Sequence, residues 1–344
     1  MIWKNLAYDK VKKIKLFACC IPVKGAKKSI ICDIQRNTYK PIPGSMYDFI
    51  IKYESCTIDG IKSDFPAEDH ETIDEYIDFL LKEEFAFLTD NPEYYPKLEL
   101  KWEDHSKITN AVIDNDQHSA HNYAAIFHQL NELRCLNIEL RFFECISTGR
   151  LEEILTLTEN GTLRCIDVIM KFDERLTDKI KLKRILSRFL RVNNIFIYAA
   201  PDHLIEALNV DDNLIYTSQI INDETHCGII SPLNFSVNKN LFFESSLFNS
   251  CLNKKIAIDS SGQIRNCPSM PEAYGDVNTT SLLSVIEQEA FKKLWSITKD
   301  QVDICKDCEF RYICTDCRAY RKNQNDLYAK PLKCSYNPYI GAWE

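Results

Sequence analysis

The sequence predicts a multidomain protein of mixed class, α+β at its start and α/β in its middle, with a cysteine-rich module at its C-terminal end. Three observations carry this. Residues 1–95 hold short strand-like runs followed by two helical patterns, residues 96–245 alternate helix and strand, and seven of the 15 cysteines fall between Cys251 and Cys334.

In the first zone, Lys15–Val23 and Ser29–Ile34 read as two strands separated by a turn around Gly25. Ser45 is placed to cap a helix over Met46–Tyr53. Thr72 opens the run TIDEYIDFLLKEEF, in which Ile73, Tyr76, Ile77, Leu80 and Leu81 share one helical face. Strands combined with small helices describe a winged-helix-like unit over residues 1–95.

Across residues 96–245 the period alternates. Ala120–Leu133 reads as a helix, Cys135–Phe143 as a strand, Leu151–Glu159 as a helix, Leu163–Phe172 as a strand, Asp178–Val192 as an amphipathic helix and Asn194–Ala200 as a strand. Such repetition implies a parallel sheet covered by crossover helices, either open or part of a barrel. About four visible strands do not make a complete eight-stranded barrel, which needs ~250 residues, so a partial or degenerate (β/α) barrel is expected. In the long helix, Leu182, Ile185, Leu186 and Phe189 supply the apolar face. Lys179, Lys181, Lys183, Arg184, Arg188 and Arg191 read as its solvated side.

Composition narrows the function. With 344 residues, 45% of them apolar, the chain can build two or three cored domains, and a net charge of −8 with a pI near 5.5 argues against a nucleic-acid partner held by its phosphates. No run approaches the ~18–20 apolar residues of a membrane span, and the apolar run Leu16–Val23 has no convincing cleavage site after it. The expectation is a soluble, cytoplasmic protein without a membrane partner; self-association is left open. His118, His121 and His128 come with no nucleophile elbow, phosphate loop or zinc-protease helix, so the sequence names no catalytic residue.

In a reducing compartment, 15 cysteines call for metal ligation, catalysis or simple burial rather than disulfides. Cys19, Cys20, Cys32, Cys135 and Cys165 sit in apolar, strand-like runs and read as small hydrophobes. The last zone, residues 246–344, differs. In CLNKKIAIDSSGQIRNC, Lys255–Asp259 and Gln263–Asn266 read as a hairpin turning at Ser260–Ser261–Gly262, which brings Cys251 and Cys267 to one end. In CKDCEFRYICTDC, the paired thiols Cys305/Cys308 and Cys314/Cys317 form two-residue-gap knuckles suited to a metal, and Cys334 follows. Spacing alone fits zinc and a [4Fe-4S] cluster equally. Lys306, Arg311 and Arg318 offset thiolate charge there while Asp307, Glu309 and Asp316 oppose them.

The order Cys251, Gly262-x4-Cys267, Cys305-x2-Cys308-x5-Cys314, Cys317, Cys334 closely resembles the SPASM domain, the auxiliary iron–sulfur module of many radical-SAM peptide maturases. With CLNKKIAIDSSGQIRNCPSM, CKDCEFRYICTDCRAY and KPLKCSYNP, the chain looks like the SPASM-containing maturase of grasp-with-spasm systems. The resemblance covers the last ~100 residues by cysteine order and the remainder by general layout. It implies that Cys305, Cys308, Cys314 and Cys334 hold one auxiliary [4Fe-4S] cluster, and that Cys251, Cys267 and Cys317 contribute to another. Two departures matter. Only two residues separate Cys314 from Cys317 where the family pattern has three, and the second set lacks a fourth ligand; Cys227, an open iron and simple packing of Cys227 remain the alternatives. Nor does the Cys-x3-Cys-x2-Cys triad that binds the reactive cluster occur anywhere, so S-adenosylmethionine is not expected and the central zone resembles a degenerate radical-SAM core.

The resemblance therefore implies a ribosomal-peptide maturation protein that binds or modifies a precursor peptide together with an ATP-grasp ligase, the N-terminal unit receiving the peptide as an added strand. Whether the chain is an enzyme is left open. A zinc-stabilised, non-catalytic scaffold or partner-binding protein is the alternative, as is an iron–sulfur redox enzyme that works without S-adenosylmethionine.

Overall fold

The computed structural model describes residues 11–202, 204–205 and 213–344. Its first layer is an antiparallel meander of β2 (Cys20–Lys24), β3 (Lys28–Asp33) and β4 (Thr38–Pro43), while β1 (Lys13–Leu16) pairs with the distant β5 (Ala86–Thr89). The apolar run Lys15–Val23 is thus two strands, not one. Between them the chain reverses at Phe17–Cys19, where the Cys20 N–H bonds the Phe17 carbonyl at 2.9 Å. No Gly or Pro marks that break, and only pairing with β5 reveals it.

Three helices follow: α1 (Gly44–Tyr53), α2 (Ile58–Ser63) and α3 (His70–Lys82). Ser45 lies inside α1 rather than capping it, and its hydroxyl bonds the Tyr76 hydroxyl at 2.7 Å. In α3 the buried residues are Ile73, Ile77 and Leu80, with Tyr76 and Leu81 at the rim. One face of the meander, with Ile31 and Ile42, packs on these helices. Its other face, with Val23, Ile30, Cys32 and Ile34, packs on Val237, Phe242, Phe243 and Ile313. Period-two alternation lets one strand serve both cores.

The central sheet contains seven described strands in the order β10-β9-β8-β7-β6-β11-β12. These are β6 (Asn110–Asn115), β7 (Asn137–Phe142), β8 (Cys165–Lys171), β9 (Val192–Tyr198), β10 (Leu214–Tyr216), β11 (Lys255–Ile258) and β12 (Ile264–Arg265). All neighbours pair in parallel except β11 with β12. From β6 to β10, sequential strands are spatial neighbours, and the crossovers between them carry α4 (Tyr123–Glu132), α5 (Thr148–Thr156) and α6 (Lys179–Arg188), whose apolar residues share one core with the sheet. Side-chain caps start each helix: Asn122 accepts from the Ala125 N–H, Ser147 from Arg150, and Asp178 from Ile180 and Lys181.

Alternation along the strands sorts the sheet's residues. Ile138, Leu140, Ile166 and Val168 join Leu151, Leu182 and Ile185 in the main core. Burying each such side chain contributes about 1.5–3 kcal/mol. The basic residues Lys181, Lys183, Arg184 and Arg188 of α6 are exposed. The opposite sheet face carries polar groups at Asp114, Glu139, Arg141 and Asp167. No described helix is long and apolar enough to cross a membrane.

The hairpin β11–β12, read from sequence as part of the cysteine module, extends the central sheet: β11 pairs with β6, Lys255 opposite Asn110 and Ile258 opposite Ile113. Helix α7 (Lys239–Leu247) precedes it. The module also docks on the N-terminal meander. The Ala26 N–H bonds the Asp307 carbonyl at 2.8 Å, the Lys27 N–H bonds the Pro338 carbonyl at 3.1 Å, and Lys28 Nζ reaches the Gly341 carbonyl at 2.7 Å. Gly25 permits this approach, since a Cβ there would stand 2.9 Å from the Glu309 amide nitrogen.

Candidate metal centre

The knuckle is built from local backbone bonds. Cys305–Asp307 forms a short turn after Ile304, whose φ is +68°, and the Cys308 N–H returns to the Cys305 carbonyl at 3.0 Å. The Cys314 N–H bonds the Phe310 carbonyl at 3.1 Å. The chain's return at Pro331–Cys334, closed by a bond from the Cys334 N–H to the Pro331 carbonyl at 3.3 Å, adds a fourth thiol. Cys305, Cys308, Cys314 and Cys334 line one small cavity whose other walls are largely apolar and include Ile230, Phe310 and Tyr336.

Lys299 also lines this cavity, almost fully buried, with Nζ donating to the Cys314 carbonyl and to the Arg311 carbonyl at 3.2 Å. Burial works against its charge, yet the surrounding Cys314, Asp316, Cys305 and Cys308 raise its pKa. Burial likewise pushes the Cys305 thiol up to about 12 and the Cys308 and Cys314 thiols upward. A buried cation facing several thiols suits an anionic metal–thiolate centre, because loading a metal ionises those thiols. Of the cations noted in sequence, Arg311 bonds the Cys308 carbonyl at 2.9 Å and the Lys24 carbonyl at 2.5 Å, linking the knuckle to the meander. Arg318 is buried in an ion pair with Asp316 at 2.9 Å, and Lys306 pairs with Asp303 at the surface.

The remaining thiols form a second group. Cys251 stands before β11 and Cys267 after β12, at the open end of the hairpin; burial, then Cys267, Cys317 and Cys227, drive the Cys251 thiol well above its ordinary value. Cys267 is pushed up to about 12 by burial, with Cys227 and Cys317 adding to it. Gly228, at φ +81°, brings the Cys227 loop against Cys317: a Cβ on it would sit 2.9 Å from the Cys317 Sγ. Lys333 Nζ holds the Cys227 carbonyl at 2.7 Å and so ties this loop to the residue beside Cys334.

Asn249 joins the two groups. Its side-chain oxygen accepts from the N–H groups of Cys251 and Leu252, both at 3.0 Å, and its amide donates to Asp316 at 3.0 Å, between Cys314 and Cys317. Arg141, on the polar face of the central sheet, lowers the Cys227 and Cys267 pKa values against the effect of burial. Neither Lys299 nor Arg141 was singled out as part of the site from sequence. Each resembles an ordinary surface cation in its local context, and only tertiary burial distinguishes it.

Spacing between thiols bears on what they hold. A tetrahedral zinc ion with ~2.3 Å bonds draws its sulfurs to ~3.8 Å from one another. Among the described residues, the one set of three or more Cys, His, Asp or Glu ligand atoms lying mutually within 4.8 Å is Cys19, Cys20 and Asp33. The thiols that could hold an inorganic group are Cys305, Cys308, Cys314 and Cys334 around one cavity, and Cys251, Cys267, Cys317 and Cys227, which act on one another electrostatically.

Other sequence candidates lie outside these two groups. His121, placed before α4, bonds the Asp114 carbonyl at 2.8 Å, and His128 is exposed beside Glu132. Cys20, Cys32 and Cys135 are buried, while Cys19 and Cys165 are partly so.

No protein-family model matches the sequence, and no curated protein matches it either. Three crystal structures of SuiB from Streptococcus suis are similar to this chain: bound to S-adenosylmethionine (9% identity, TM-score 0.34), bound to the precursor peptide SuiA (10%, 0.35), and SuiB itself (9%, 0.33). In each case the match covers 89% of this chain and 96% of the other.

Proposed function

We propose that this chain is a cytoplasmic peptide-maturation protein whose C-terminal module carries two [4Fe-4S] clusters, and that it binds or modifies a precursor peptide beside an ATP-grasp ligase. The observation that carries the metal reading is the division of eight thiols into two groups of four, the first around a cavity that also holds the buried Lys299 ammonium. The peptide and ligase rest on the SPASM-type cysteine order alone.

When bound, such clusters supply one-electron transfer or an iron site for a substrate group. The chain's own residues supply the rest. Lys299 balances thiolate charge, Asn249 fixes the Cys251 backbone relative to Asp316, and the apolar walls around Cys305 and Cys308 exclude water. Because the Cys-x3-Cys-x2-Cys triad is absent, this reading requires no S-adenosylmethionine.

Anaerobic purification followed by iron, sulfide and zinc quantitation tests it. Two clusters give about eight irons and eight sulfides per chain, and Cys305→Ala reduces both by about half. Zinc without sulfide overturns the cluster reading and favours the zinc-stabilised scaffold. Co-purification with a precursor peptide and a ligase tests the partners, and a mass change in the peptide when electrons are supplied separates an enzyme from a binding protein.

A further inference from the structure

We infer that Cys19, Cys20 and Asp33 form a separate binding site for a thiophilic divalent cation, zinc in the first instance, at the rim of the N-terminal meander. Cys20 on β2 and Asp33 on β3 are direct cross-strand partners, with the Cys20 Sγ 3.7 Å from an Asp33 carboxylate oxygen. Cys19, in the turn between β1 and β2, places its Sγ 4.0 Å from that of Cys20. All three ligand atoms lie within 4.8 Å of one another.

Those separations are close to what coordination requires. Zinc–sulfur bonds of ~2.3 Å and zinc–oxygen bonds of ~2.0–2.2 Å in a tetrahedron put sulfur ~3.8 Å from sulfur and ~3.6 Å from oxygen. The Cys20–Asp33 and Cys19–Cys20 separations need shifts of only about 0.1–0.2 Å, and rotation of the half-buried Cys19 side chain brings its sulfur to the carboxylate from within 4.8 Å.

The surroundings hold the carboxylate in place. One Asp33 oxygen accepts from the N–H groups of Gln35 at 3.0 Å and Arg36 at 2.8 Å. The other meets Arg36 Nε, and the same guanidinium is anchored to the carbonyls of Glu83 at 2.9 Å and Glu84 at 3.0 Å. Two thiolates and a carboxylate carry three negative charges against the two positive charges of zinc; the Arg36 guanidinium, which also pairs with the exposed Glu84 at 3.1 Å, offsets part of the excess. Cys20 and Asp33 are buried, whereas Cys19 is half-buried and opens onto a groove lined by Phe17, Phe87, Tyr94 and Tyr95. Three protein ligands with one side facing a groove leave a fourth position for water or an incoming ligand, the donor count of an open zinc site.

The site is independent of the C-terminal thiols, and its test works by difference. Full-length protein is first reconstituted anaerobically with iron and sulfide and then equilibrated with zinc; excess metal is removed and zinc per chain counted. Zinc-edge X-ray absorption reports the ligands. Wild type is compared with Cys19→Ala and with Cys32→Ala, a buried cysteine of the same meander outside the set. We expect wild type and Cys32→Ala to hold about one zinc more per chain than Cys19→Ala, at a site of two sulfurs plus oxygen donors. Zinc affinity in Cys19→Ala should fall at least tenfold. Equal zinc retention by wild type and Cys19→Ala, whether high or nil, overturns the site and leaves the two thiols as packing.

Discussion

Arg141 and Asp114 face each other across β7 and β6 in direct register, and the guanidinium donates from Nε and Nη2 to the two carboxylate oxygens at 2.6 and 2.7 Å. Both side chains are nearly inaccessible, at 8% and 2%. A bidentate pair satisfies the charge that each residue buries, so removing one member strands the other. Arg141→Met should therefore destabilise the central sheet by about 3–5 kcal/mol, read from the denaturant midpoint. The double variant Asp114→Asn/Arg141→Met should recover part of that loss. Equal destabilisation in single and double variants would show that packing of the Arg141 stem, not the stranded carboxylate, sets the cost.

The hairpin between Cys251 and Cys267 depends on a second carboxylate. Asp259 accepts from the Ser261 N–H at 3.0 Å, the Gln263 N–H at 2.9 Å, the Ser261 hydroxyl at 2.8 Å and Arg265 Nε at 2.6 Å. Although burial opposes ionisation, the Arg265 guanidinium, the Ser261 hydroxyl and the Gln263 N–H hold Asp259 below the ordinary carboxylate range. A depressed folded-state pKa means stability that is fully present above the unfolded value of ~3.9 and is lost as pH falls through the folded value. Asp259→Asn should cost about 1–2 kcal/mol at neutral pH. Its melting-temperature gap from wild type should stay constant down to about pH 4 and close below that; a gap unchanged at lower pH would assign the cost to hydrogen-bond geometry instead of charge.

Gly228 governs how closely the Cys227 loop approaches Cys317. Alanine there meets both a left-handed φ and the Cys317 sulfur. In Gly228→Ala the loop must withdraw, and Cys227 goes with it. Iron and sulfide bound by the second group should fall while the first group stays loaded, so that about four irons per chain remain. Full retention of both would mean that Cys227 is not a ligand.

Helices and strands with strong period were legible from sequence, and others were not, for reasons that particular residues show. Helix α6 declares itself through Leu182 and Ile185 on one side and Lys181, Lys183 and Arg184 on the other. Strand β6, NAVIDN, does not. Its Asp114 and Asn115 look like a turn signal, and they are buried only because Arg141, Tyr123 and the Arg141 carbonyl satisfy them from neighbouring elements. The mixed class and mostly parallel sheet were therefore visible, while the strand count and the joining of β11 to β6 were not. In the cysteine module, knuckle spacing is a local property and can be read directly. The approach of Cys227 to Cys317, across 90 residues, is a tertiary fact that no local pattern encodes.

Lys299 offers the sharpest test of the metal reading, because its charge acts on one group of thiols. It lies against Cys314, Cys305 and Cys308, and reduction of a four-thiolate [4Fe-4S] centre adds a negative charge that a nearby cation stabilises. Removing the cation makes reduction harder. Lys299→Met should lower the midpoint potential of the first cluster by on the order of tens of millivolts, measured by redox titration with paramagnetic-resonance detection. Under the two-cluster reading, a cluster at the Cys251 group serves as the internal reference, and Lys299→Arg should restore the potential by restoring the charge. Methionine also leaves the carbonyls of Cys314 and Arg311 without their donor, so iron content is measured alongside potential. A shift shared equally by both clusters, or one that Lys299→Arg fails to reverse, would place the effect in altered packing and remove Lys299 from the electrostatics of the site.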